Sequence, residues 1–133
     1  MSIRRLVTLL TVAALAASTV GCTPKRAGRT LTGSDSGSVI EVGVGDRFTV
    51  ALAENPTTGY LWAVSGALPS IVETASDDYD SESAPGLVGG GGTRTIVYRA
   101  VSAGSGDVGL VYVRPWETTG TPAATFTVTV RAR

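Results

Sequence analysis

A chain of 133 residues holds one domain of about 100 residues once a leader segment is set aside. It has no histidine and a single cysteine, Cys22, which excludes Cys–His and Ser–His–Asp catalysis, an internal disulfide and nearly every zinc, copper or iron site. Basic and acidic residues balance at 11 each, but residues 39–133 carry six arginines against ten acids, and a net charge of −4 is a poor match for nucleic acid.

The elements begin with a targeting segment. Arg4 and Arg5 form a positive start, and residues 6–17 an apolar run too short to span a bilayer comfortably. Val20-Gly21-Cys22 closes it and resembles a bacterial lipobox, in which the cysteine is lipidated and becomes the mature N-terminus. Thr19 stands where such sequences favour leucine. The competing reading is ordinary secretion, with cleavage after Ala14-Leu15-Ala16. The expectation is a signal peptide over residues 1–21, lipidation at Cys22, and export to the bacterial cell envelope with the membrane as partner through that lipid. Residues 22–38 are rich in Gly, Ser and Thr, with Lys25, Arg26 and Arg29, and read as a flexible tether. The folded domain is then expected over residues 39–133.

Within that domain the pattern is all-β. Phe48, Val50 and Leu52 alternate with Thr49 and Ala51 in the run 46–53. Ile96, Tyr98 and Ala100 repeat the alternation, as do Val108, Leu110 and Tyr112, and then Phe126, Val128 and Val130. Residues 39–44, 61–64 and 71–75 supply three shorter candidates. About seven short strands with glycine-rich turns predict a β-sandwich, with Trp62 and Tyr112 in its core. There is no run with a 3.6-residue period and no internal repeat.

Three connections stand out. The first is Asn55-Pro56-Thr57-Thr58-Gly59-Tyr60, with Trp62 two residues on. Pro56 fixes its own φ and pushes Asn55 toward an extended conformation, Thr57 and Thr58 are stiff, and Gly59 can supply a positive φ. That predicts a rigid projecting loop with two hydroxyls near its tip. The second spans residues 84–92 and ends in Gly89-Gly90-Gly91-Gly92. The third opens with Arg114-Pro115-Trp116-Glu117. These loops follow the second, fourth and sixth predicted strands, so a sandwich brings them to one end.

With these residues in this order, residues 39–131 resemble the chagasin family of cysteine-protease inhibitors. That family carries an Asn-Pro-Thr-Thr-Gly-aromatic loop with a nearby Trp, a glycine-rich loop, and an Arg-Pro-aromatic loop, in the same succession. The resemblance implies an immunoglobulin-like β-sandwich of about seven or eight strands whose three loops form a wedge for the active-site cleft of papain-like cysteine proteases. It implies that Thr57 and Thr58 lie over the enzyme's catalytic pair and that Gly89 to Gly92 line one wall by backbone approach. Trp116 would stack on the other wall, with Arg114 hydrogen-bonding nearby. Ile96 and Tyr98 stand where family members show aromatics. A monomer that is not an enzyme and needs no cofactor or metal is expected. The alternative is a non-inhibitory module on the same fold that binds an envelope protein or a glycan.

Each loop also has a plainer reading. The first is then only a strand connection whose threonines cap a turn, the glycine run is a slack linker, and Trp116 folds back onto the sandwich edge. The acidic stretch Asp77-Asp78-Tyr79-Asp80-Ser81-Glu82 has the alternate spacing of an EF-hand start. Ser83 and Gly89 occupy the positions that need Gly and Glu, so it reads as a solvated acidic loop.

Overall fold

Alternating apolar positions bury one face of a strand, and a computed structural model describing residues 28–82, 90–117 and 119–133 contains eight such strands. They are β1 (Arg29–Leu31), β2 (Ser38–Val42), β3 (Arg47–Glu54), β4 (Leu61–Val64), β5 (Val72–Ser81), β6 (Gly92–Ala100), β7 (Gly104–Val113) and β8 (Ala124–Ala132). One sheet has the order β1-β3-β6-β5 and the other β2-β8-β7-β4. β1 runs parallel to β3 and β2 parallel to β8, while the remaining pairs are antiparallel.

The core lies between the sheets. Phe48, Val50 and Leu52 of β3 and Ile96, Tyr98 and Ala100 of β6 meet Leu110 and Val108 of β7 and Phe126, Val128 and Val130 of β8. Phe48 and Tyr98 sit opposite each other in the register, with ring centroids 5.3 Å apart. Burying side chains of this size stabilises the fold by roughly 1.5–3 kcal/mol each. The β-sandwich and its alternation are as the sequence predicts.

Three expectations are corrected. The tether ends earlier than residue 38, because Leu31 is fully buried in the core and β1 pairs with Phe48, Thr49 and Val50 of β3. A 3-10 turn (Gly33–Asp35) follows, held by Thr32 N–H donating to Asp35 Oδ2 at 2.8 Å. The folded unit therefore includes residues 29–38. Second, Asp77, Asp78 and Asp80 are not in a loop. β5 continues through them to Ser81, paired along β6, with a bulge between Thr74 and Ser76. Third, Trp62 and Tyr112 are half-buried at the rim of the core, with only Trp62 packed against it.

The connections β3–β4, β5–β6 and β7–β8 share one end. Glu54 and Ser81 both pair with Gly92, and Leu61 pairs with Val113, so the feet of the three loops adjoin.

Candidate functional site

The loop at residues 55–60 is built from its own side chains. Asn55 is extended, and its Oδ1 accepts from Thr57 N–H at 3.2 Å and from the Thr57 hydroxyl at 2.5 Å. Residues Pro56–Thr58 form one 3-10 turn, and the Thr58 hydroxyl donates to Asn55 O at 2.7 Å. Both threonine hydroxyls thus donate inward, although both residues are exposed. The turn-capping role and the projecting tip coexist. Gly59 ends the turn at φ +82°, a conformation that disfavours any side chain.

The third loop leans on the first. A Cβ at Gly59 would come within 2.9 Å of Trp116 Cζ2, so the glycine is the floor on which the indole rests. Trp116 remains 67% exposed and does not fold back onto the sandwich edge. Arg114 donates from Nε to Thr58 O at 3.1 Å and from a terminal nitrogen to Glu117 Oε1 at 3.2 Å. Its guanidinium also covers the Tyr60 ring at 4.4 Å. Arg114 therefore serves first as a brace between two loops. Beneath it the rings continue as a column. Tyr60 lies 5.3 Å from Tyr112, which stacks on Trp62 at 5.0 Å.

Of the glycine run, Gly89 lies outside the described residues, as do residues 84–88 of that loop. Gly90 and Gly91 lead into β6 beside the first loop, where a Cβ at Gly91 would make ordinary contact with Glu54 O at 3.6 Å. Gly92 has a reason inside the domain, since a Cβ there would collide with Tyr79 Oη at 2.6 Å. The segment 1–27, with the expected signal peptide and the lipidation position Cys22, also lies outside the described residues.

Sequence reasoning missed Glu54, the buried charge of the site. Continuing the alternation Phe48, Val50, Leu52 places it on the core face, and that was the available signal. Its carboxylate accepts from Trp62 N–H at 2.9 Å and from two nitrogens of Arg94 at 3.0 and 3.2 Å. Arg94 also reaches Asp77 Oδ1 at 3.0 Å. The Glu54 hydrogen bond, outweighing desolvation, holds the Arg94 guanidinium above its ordinary pKa. Burial, with a smaller push from Asp77, raises the Tyr98 phenol to about 12. Among the described residues no group of acids, cysteines or histidines could hold a metal.

An exposed aromatic, a stiff turn and a glycine edge, braced from behind, make a surface for contact rather than for bond making. The family model described as Chagasin family peptidase inhibitor I42 matches residues 41–130. Amoebiasin-1 of Entamoeba histolytica is 36% identical over 88 residues, covering 65% of this chain and 82% of its own. Chagasin of Trypanosoma cruzi is 30% identical over 105 residues, covering 77% of this chain and 96% of its own. The crystal structure of the cysteine protease inhibitor EhICP2 from Entamoeba histolytica superposes with a TM-score of 0.71 at 28% identity, covering 79% of this chain and 95% of that one.

Proposed function

The chain belongs to the chagasin family of peptidase inhibitors, and from that premise we propose that it blocks papain-like cysteine proteases reversibly by inserting its three adjoining loops into the active-site cleft. The observation that carries this reading is the exposed indole of Trp116, standing on Gly59 beside the exposed Pro56, Thr57 and Thr58. Aromatic anchors dominate interface energies, and a loop already closed on itself loses little entropy on docking. Asn55, Arg114 and Tyr60 act from within, holding the tip in shape, while Pro115 fixes the approach to Trp116. Gly89 to Gly91 supply the backbone edge of the wedge, and Gly92 seats that edge on β5. The inhibitor works as a monomer.

Inhibition of papain and of a cathepsin-L-like enzyme by the domain from residue 28 onward tests this. Tight, reversible inhibition competitive with substrate is expected. A folded domain that leaves both enzymes active at micromolar concentration overturns the reading. The same proposal places the protein at the bacterial cell envelope, lipidated at Cys22 after removal of residues 1–21. The lipobox-like Val20-Gly21-Cys22 supports that location. Membrane fractionation of full-length protein beside Cys22→Ala checks it, and an unmodified, soluble wild type refutes it.

A further inference from the structure

The first loop has its feet in different sheets, since β3 and β4 do not pair. No strand ladder can close it. Side chains do so instead. Glu54, the last residue of β3, accepts from Trp62 N–H, while Trp62 Nε1 donates back to Ala53 O at 3.0 Å and Asn55 N–H donates to Tyr112 Oη at 2.9 Å. The Glu54 side chain is 1% exposed, and Arg94 grips it with both prongs of its fork. Arg94 lies on β6 two residues after Gly92, and its third bond goes to Asp77 on β5. β5 and β6 are the two strands that carry the second loop. One guanidinium thus ties the foot of the first loop to the strand pair of the second.

We propose that Glu54, Arg94 and Asp77 form a positioning clamp that fixes the first two loops relative to each other, a role that rests on the inhibitory reading of the loop cluster. Stability alone does not account for the clamp. A well-packed apolar group commonly replaces a buried ion pair at no cost to the fold, whereas the bidentate fork sets both direction and distance. In this role the clamp residues act through Asn55 to Tyr60 and through Gly91.

The test compares wild type with Arg94→Met, Arg94→Lys and Asp77→Asn in the domain from residue 28, reading papain dissociation rates and backbone amide spectra at a temperature where each is folded. Arg94→Met should weaken binding about tenfold or more, chiefly through faster dissociation. The amides of Thr57, Thr58 and Gly91 should shift while those of β8 stay put. Arg94→Lys, which keeps the charge and loses the fork, should fall between. If Arg94→Met does not fold, Arg94→Lys and Asp77→Asn carry the same comparison. Folded variants with wild-type dissociation rates and unmoved loop amides overturn the clamp and leave the inhibitory reading intact. If wild type itself does not bind papain, that reading fails, and the loop amides alone decide whether the clamp positions the loops.

Discussion

An indole two-thirds exposed to water is held in place only if something beneath it leaves room, and here that is the absent side chain of Gly59. Trp116→Ala should therefore weaken protease binding by about 2–4 kcal/mol, as for a central anchor, with thermal unfolding almost unchanged. Gly59→Ala should damage both quantities. A side chain at φ +82° is strained, costing roughly 1 kcal/mol or more of stability, and its methyl displaces the indole. Inhibition assays beside melting curves separate the two substitutions. Loss of inhibition without loss of stability in Gly59→Ala would contradict the strain argument. The motif around these residues was legible in the sequence, and so was a turn-capping role for the Thr57 and Thr58 hydroxyls, but that capping and a projecting tip would coexist was not. It depends on a single 3-10 turn, whose hydrogen bonds no periodicity announces.

At the scale of elements, the long strands declared themselves through period-two alternation, as in β3 and β8. β1 did not, because three residues cannot show a period, and its parallel partner lies 19 residues further along the chain in register. β5 was misread for a different reason. It is the edge of its sheet, and acidic side chains on an edge strand deter pairing with other chains, so a strand there reads like a solvated loop. The buried position of Leu31 makes β1 part of the folded unit, so Leu31→Ala should cost about 2–5 kcal/mol in urea unfolding. A domain started at residue 39 should melt well below one started at residue 28. Equal melting temperatures would show that β1 is dispensable.

For the whole molecule, the placement of the three loops followed from counting. An extra strand at the front shifts every ordinal by one and leaves the loops on alternate connections, hence at the same end. The pH response also belongs to this scale. Tyr98 titrates at about 12 when folded and near 10 when unfolded, so the folded state holds its proton more tightly. Its contribution is complete below pH 10 and is lost as the pH rises through 12. Melting temperature should fall more steeply across that window in wild type than in Tyr98→Phe. Parallel curves would remove Tyr98 as the cause.

The parallel pairing of β1 with β3 has a consequence for how the molecule stands on a surface. Arg29 pairs beside Phe48, at the start of β3, whereas the wedge grows from the finish of that strand. The chain thus arrives at the pole opposite its loops. With β1 folded, only residues 23–28 separate Cys22 from the first strand, a leash of about 20 Å at full stretch. A molecule moored at Cys22 would be held by the end opposite its wedge, leaving the loops free to face away from the lipid. It would meet enzymes drifting in from the surrounding fluid more readily than those seated in the same bilayer.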